Sequence, residues 1–333
     1  MPVEVKKVLI PTFGGPEKVQ VVRSTLADPA LNEVQVQVLY SGFSGADINM
    51  RIGVYPLQRK APLTPGYCFV GTVHALGAQS TKFAVGDMVA CLSIYDAQAT
   101  FTNQPEQHLV PLPRGLDPQI ATTLVLDWNT AYGMVKGKGT EWKGKKVFIH
   151  GMSGAVGYAL MMLCLLEGAQ VYGTASARNH QAIRDLGATP FVYTDKHWMT
   201  VVKELGGAHG VFDALGFESW DESYSILANG GTLFGYGGNL GTLNNLESRS
   251  VIWPTLKLFA RNLNLASCKS TTFYYISRDR ASFKPQTEKV FELALQNKIK
   301  PSIKRVFELD DVATAHRDWT RLTGMGSVVV HIS

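Results

Sequence analysis

The hydrophobic pattern changes character once along the chain. Through about residue 120 the apolar positions recur in short runs at period two, clearest in "EVQVQVLYSGF" (33–43). Turn signals such as "GG", "PG", "LGAQ" and "VGD" separate these runs. Short strands at that spacing predict a β-rich domain or barrel. A proline-rich passage, "LVPLPRGLDP" (109–118), then reads as a crossing between domains. From about residue 121 strands and helices alternate. "KVFIH" is followed by "GYALMMLCLLEG", "QVYGTA" by "NHQAIRDLG", "PFVYT" by "HWMTVVKELGG", and "GVFDAL" by "SWDESYSILANGG", before "TLFGYGG" returns as a strand. Such alternation predicts parallel strands joined by crossover helices, a doubly wound α/β sheet. The tail is mixed, with helices in "QTEKVFELALQNK" and "VATAHRDWTRL" and strands in "SIKRVFEL" and "SVVVHI".

Composition narrows the class without changing this picture. A chain of 333 residues suits about two domains, and 45% hydrophobic with 18% charged residues is ordinary for a globular enzyme. The net charge of +5 is mild, and the densest basic run, "KGKGTEWKGKK" (136–146), alternates with glycine. It reads as a solvated turn, so no nucleic-acid footprint is expected. Cys68, Cys91, Cys164 and Cys268 are scattered, which argues against a disulfide framework and a cysteine-rich zinc lobe. The first residues are charged and alternating, unlike a signal peptide, and the longest apolar run, "ALMMLCLL", is far short of a membrane span. A cytosolic protein with no membrane association is expected.

Chemistry concentrates at "HGMSGAVGYAL" (150–160), where Gly151, Gly154 and Gly157 lie between a strand and a helix. Glycines there let the backbone approach a diphosphate at a helix N-terminus, although the same glycines also serve a turn that only packs helix on sheet. The usual dinucleotide pattern places glycine at 152, 154 and 157, and 152 is Met. Gly151 is expected to supply the missing freedom one position earlier. An NAD site wants a carboxylate at the end of the next strand. "VYGTASARNH" (171–180) has none and offers Thr174, Ser176 and Arg178 instead. A hydroxyl and a guanidinium suit a 2′-phosphate, which favours NADPH. Arg178 also reads as a solvated residue opening the next helix.

With these residues placed, the chain resembles the zinc-independent quinone oxidoreductases of the medium-chain dehydrogenase/reductase superfamily, the group that includes zeta-crystallin. The resemblance rests on "SGADINMRIGVYP" (44–56), "PLTPGYCFVGTV", "FAVGDMVA", "NTAYGMV" and "LGATPFVYTD". It implies a discontinuous GroES-like catalytic domain (1–120 and 271–333) around a Rossmann domain (121–270), NADPH in the cleft between them, and a homodimer. It places Thr130 by the nicotinamide, Ala155 and Val156 at the diphosphate, Ser176, Arg178 and Tyr193 around the 2′-phosphate, and Tyr236 and Gly237 by the nicotinamide ribose. Zinc-using relatives hold Cys, His-Glu and Cys where this chain reads Ser44, Tyr67-Cys68 and Leu126. That set does not suit zinc, and no metal is expected.

Without a metal, the easier hydride acceptor is a quinone or an α,β-unsaturated carbonyl, with a donor needed at the carbonyl oxygen. Tyr67 and Tyr55 are the candidate catalytic residues, and the α-carbon proton comes from a tyrosine or from water. Tyr67 equally reads as a wall of the pocket. Asp47 and Arg51, four apart, are expected to pair locally. Cys68 reads as a buried hydrophobe or as a target for electrophilic enones. Two other functions remain open: an enoyl reductase of a biosynthetic pathway, acting on a polyketide, fatty-acyl or other secondary-metabolite chain, and an NADPH-binding protein with little catalysis.

Overall fold

The computed structural model describes residues 2–137, 139–243, 249–264 and 266–332; Lys138 of the basic run lies outside them. The chain forms two compact units, Met1–Asn129 with Ile276–Thr323 and Ser327–Ser333, and Thr130–Tyr275 with Gly324–Gly326.

The first unit opens with β1 (Val3–Leu9) and β2 (Gln20–Leu26), an antiparallel pair. Strand β3 (Glu33–Phe43) coincides with the alternating segment, and its Val34, Val36 and Val38 enter the core. Helix α1 (Gly45–Ile52) starts at a reciprocal cap: the Ser44 hydroxyl accepts from the Ala46 N–H, and the Asp47 carboxylate accepts from the Ser44 N–H. It stops at Gly53, which is left-handed at φ +82°. Strands β4 (Phe69–Leu76), β5 (Met88–Cys91), β6 (Phe101–Pro105) and β7 (Leu109–Pro111) follow. Helix α2 (Pro118–Thr123) is capped by Asp117, which accepts from the Gln119 and Ile120 N–H groups. It runs into a five-residue π turn, Leu124–Trp128.

The second unit starts in α3 (Asn129–Lys136) and alternates β8 (Lys146–Ile149), α4 (Ala155–Leu166), β9 (Gln170–Ala175), α5 (His180–Asp185), β10 (Thr189–Val192), α6 (His197–Glu204), β11 (Ala208–Asp213), α7 (Glu218–Ser225) and β12 (Leu227–Gly235). It closes with α8 (Leu240–Leu243), α9 (Ile252–Ala260) and β13 (Ser270–Phe273). The strand order β10-β9-β8-β11-β12-β13, parallel throughout, is that of a doubly wound dinucleotide fold. Its order reverses between β8 and β11, so the loops after those two strands flank the switch point.

The tail, α10 (Phe283–Leu295), β14 (Ile303–Glu308), α11 (Val312–Asp318) and β15 (Ser327–His331), rejoins the first unit. There β15 pairs antiparallel with β3, giving a seven-stranded sheet ordered β14-β15-β3-β4-β5-β7, with β6 also on β3. Among the described residues no helix is long and apolar enough to cross a membrane.

Three expectations are corrected. Helix α7 ends at Ser225, and Leu227–Gly231 belongs to strand β12, because that stretch bonds to β11 through Leu227. Lys136 is not in a solvated turn; it closes α3 and pairs with Glu167 at 2.6 Å. Asp47 and Arg51 do not pair. Asp47 turns to the cap and to Gly66, while Arg51 Nε and Nη1 are buried and find no hydrogen-bond partner among the described residues.

The π turn carries Asp127, a buried carboxylate that accepts from the Ser327 hydroxyl at 2.6 Å and ties α2 to β15. Burial pushes its carboxyl up to about 6, only partly opposed by Ser327 and Lys304. The folded value exceeds the unfolded one of about 3.9, so its stabilising contribution is complete below pH ~4 and is lost as pH rises through about 6. Denaturant titrations of wild type and Asp127→Asn should therefore diverge between pH 4 and 7. Wild type should lose about 2–3 kcal/mol relative to the variant.

Candidate functional site

In the second unit the glycine turn is held from both sides. The Gly151 N–H donates to the Thr174 hydroxyl at 3.1 Å, the Met152 N–H to the Thr174 carbonyl at 2.9 Å, and the Gly154 N–H to the Gly151 carbonyl at 2.9 Å. Gly151 stands at φ +71° with open space where a Cβ would be. At Gly157 the reverse holds, because a Cβ there would lie 2.1 Å from the Gly151 oxygen. The departure at Met152 is absorbed by a one-residue shift of the left-handed position. Helix α4 has no side-chain cap, so the N–H groups of Ala155 and Val156 in its first turn keep no intrahelical partner. Twelve residues of aligned dipole add to them. The open cradle at Gly151 and these N–H groups fit a diphosphate.

The sheet register brings Ser176, Tyr193, Tyr236 and Gly237 to its carboxyl edge. Val192 of β10 pairs with Ala175 of β9, so Tyr193 and Ser176 leave adjacent strands side by side. Arg178 follows in an exposed 3-10 turn, and Tyr193 is exposed. The hydroxyl of Thr174 is buried and engaged by Gly151, which removes it from the candidates for the 2′-phosphate. Thr130 is buried near the start of α3, and among the described residues its Oγ1 finds no hydrogen-bond partner. Tyr236 and Gly237 follow β12, with the Tyr236 N–H on the Asp213 carbonyl at 3.1 Å. Burial, helped by Asp213, pushes the Tyr236 phenol up, so it stays protonated.

One cluster was missed by sequence reasoning. Asp213, at the end of β11, is fully buried. Its Oδ1 accepts from the Leu215 and Gly216 N–H groups, and its Oδ2 from the Ser219 and Ser223 hydroxyls at 2.7 Å each. The Ser223 hydroxyl also lies 3.0 Å from His150 Nε2, the residue before the glycine turn. Burial lowers the His150 pKa, keeping it neutral. The network fixes the exits of β8 and β11 on either side of the switch point. The signal was the apolar strand ending in "VFDAL", read only as a strand.

The first unit holds the second candidate group. Tyr55 and Tyr67 stand hydroxyl to hydroxyl at 2.6 Å, with rings edge-on. Tyr67 is buried and its carbonyl receives the Ile94 N–H. The neighbouring Gly66 N–H donates to Asp47 Oδ1 at 3.0 Å. Cys68 is buried, and its thiol points at the Thr122 carbonyl. Burial pushes that thiol's pKa up, with Asp127 and Asp47 adding to the effect. The positions compared above with the metal ligands of zinc-using relatives thus hold a hydroxyl used as a helix cap (Ser44), a phenol bonded to another phenol (Tyr67), a protonated thiol (Cys68) and an aliphatic chain (Leu126). Among the described residues no three His, Cys, Asp or Glu side chains gather at metal-binding distance.

Comparison with known proteins agrees with this two-part layout. Residues 30–115 match the family described as alcohol dehydrogenase GroES-like domain, and residues 155–277 match the one described as zinc-binding dehydrogenase. The chain is 28% identical to a synaptic vesicle membrane protein VAT-1 homolog of Danio rerio, over 96% of this chain and 68% of that protein. It is 28% identical to a probable quinone oxidoreductase of Schizosaccharomyces pombe, over 91% and 90%. A mycobacterial protein solved in complex with NADPH superposes with a TM-score of 0.84 at 25% identity, over 98% of this chain and 99% of that one.

Replacing Asp213 by Ala strips four donors of their acceptor in a buried setting. Chemical denaturation should show a loss of about 3 kcal/mol or more, since each stranded donor costs ~1–3 kcal/mol.

Proposed function

The chain belongs to the medium-chain dehydrogenase/reductase superfamily, in its quinone oxidoreductase subgroup, and from that premise we propose an NADPH-dependent reductase of quinones or α,β-unsaturated carbonyls that works without zinc. NADPH supplies the hydride from its nicotinamide ring. The observation that carries the reading is the exit of β9, where Ser176 and Arg178 stand and no carboxylate is present to repel a 2′-phosphate. The Ala155 and Val156 N–H groups hold the diphosphate, with Gly151 and Gly154 allowing its approach. Tyr193 flanks the phosphate side. Thr130, whose hydroxyl is buried without a partner among the described residues, orients the nicotinamide end together with Tyr236 and Gly237.

The tyrosine pair takes the polarising role. Their hydroxyls lie 2.6 Å apart and either can donate to the other, so the pair brings phenolic O–H groups to the negative charge that develops on the substrate carbonyl oxygen. Zinc does not suit the positions its relatives use, because none of Ser44, Tyr67, Cys68 and Leu126 is a free anionic or imidazole ligand. All four cysteines are free, in keeping with a reducing, cytoplasmic setting.

NADPH oxidation should be tested with a 1,4-quinone, a simple enone and an enoyl thioester. Turnover is expected with the first two and a clear preference for NADPH over NADH. Arg178→Ala should erase about tenfold of that preference, and Tyr67→Phe should lower kcat by roughly tenfold to a hundredfold. Tight NADPH binding with no turnover of any acceptor would instead favour a binding protein.

The partner in this reading is a second copy of the chain. On α9 and the turn after it, Ile252, Trp253, Leu256, Phe259 and Leu263 are 45–79% exposed, beside β13, the last strand of its sheet among the described residues. Together they present on the order of 600 Å² of apolar surface, close to the ~800 Å² per partner of a standard interface. The cations among them, Lys257 and Arg261, are both held by Asp221, which suits a self-complementary face better than an anionic membrane. Light scattering of the purified chain should give a dimer, and Trp253→Asp a monomer with unchanged helix content.

A further inference from the structure

A cavity of about 690 Å³ lies within the first unit, away from both groups described above. The connection from β4 to β5, the segment from β7 to α2 and the start of α10 enclose it. Its volume is that of a small-molecule site, ~300–1,000 Å³. Three cations stand on its wall: Lys82, Arg114 and Lys284. Among the described residues none of the three side chains makes a hydrogen bond or an ion pair.

The unrelieved charge is visible at Lys284. This half-buried ammonium is pushed below its usual pKa, first by burial and then by Lys82 beside it. The nearby carboxylates are mostly engaged. Asp87 Oδ2 accepts from the Ala84 N–H at 2.8 Å, and Glu106 Oε1 from the backbone N–H of Lys82 at 2.7 Å. Glu288, one turn along α10 from Lys284, is the remaining acid of the wall and partly opposes the repulsion. The rest of the lining is apolar, with Phe83, Met88, Leu109, Leu112 and Leu116. Cations that outnumber the uncommitted carboxylates around an apolar floor are complementary to a ligand with one negatively charged end.

We infer that this cavity binds an amphipathic anion, a carboxylate or a phosphate monoester on an apolar body, with Lys82, Lys284 and Arg114 at its charged end. The head relieves the repulsion between the two ammonium groups, and the body covers Phe83, Met88 and Leu112. Nothing in the coenzyme or tyrosine chemistry requires this site, so it stands or falls separately from the proposed reaction.

Isothermal titration calorimetry on the full chain tests it with octyl phosphate, octanoate, octylamine, octanol and inorganic phosphate. At least one of the two octyl anions should bind. If both bind, charge alone selects the head, and if only one binds, it names the head group. Octylamine, octanol and inorganic phosphate should each be weaker by about tenfold or more. The double change Lys82→Met, Lys284→Met should cost the anion about tenfold in affinity, and Arg114→Met a smaller factor, with melting temperature and NADPH affinity unchanged. These lysines lie at the rim, so folding should survive, and Phe83→Ala gives an independent probe of the apolar floor. The inference is overturned if neither anion binds, if octylamine or inorganic phosphate binds as well as the best anion, or if the lysine changes leave its affinity intact.

Discussion

Whatever the second unit offers a nucleotide depends on one close backbone approach, that of Gly157 to the carbonyl of Gly151. No side chain fits there, since its Cβ would stand 2.1 Å from the oxygen. With glycine in place, the first turn of α4 lies against the exit of β8 and its free N–H groups face the turn. The shifted glycine spacing then makes physical sense. The left-handed residue is Gly151, and Met152, fully buried, packs its side chain where Gly173 has no Cβ. Gly173 and Met152 are a matched pair, and Thr174 next to them fastens the turn through its hydroxyl and its carbonyl.

The fold was largely legible because period and punctuation are local properties. β3 was readable end to end, and the alternation after residue 121 gave the parallel sheet before any strand order was known. The errors fall where a distant partner overrides a local preference. "LANGG" has poor strand composition, yet it joins the sheet because β11 is there to bond it. The π turn at Leu124–Trp128 has no sequence signature, and it sits directly before the α3 residues Asn129 and Thr130. Asp47 and Arg51 have the spacing of a helical ion pair. Asp47 instead finds backbone N–H groups at Ser44 and Gly66 and the Gln98 amide, which satisfy a carboxylate without the entropy of a long partner chain.

The candidate site was legible at its glycines and at the missing acid after β9, and illegible in what supports them. Asp213 with Ser219, Ser223 and His150 spans 73 residues between its most distant members, and no spacing rule links them. The same is true of the tyrosine pair. Tyr55 and Tyr67 were each singled out for position alone, whereas the structure joins them hydroxyl to hydroxyl. The joint is fixed from behind, because Asp47 holds the Gly66 N–H and Ile94 holds the Tyr67 carbonyl. A capping residue of α1 thereby also anchors the backbone next to Tyr67.

That arrangement also decides between two uses of Cys68. The thiol beside Tyr67 is nucleophilic only if it ionises, since the thiolate is the reactive form. Here the thiol is buried, and Asp127 and Asp47, each with its own carboxyl pushed up to about 6, lie close enough to raise it further. As pH rises past 6 the two aspartates gain charge, and their field adds to burial in opposing ionisation of the thiol. The cysteine is therefore a small apolar filler kept protonated first by burial and then by the same two carboxylates that anchor α1 and the π turn.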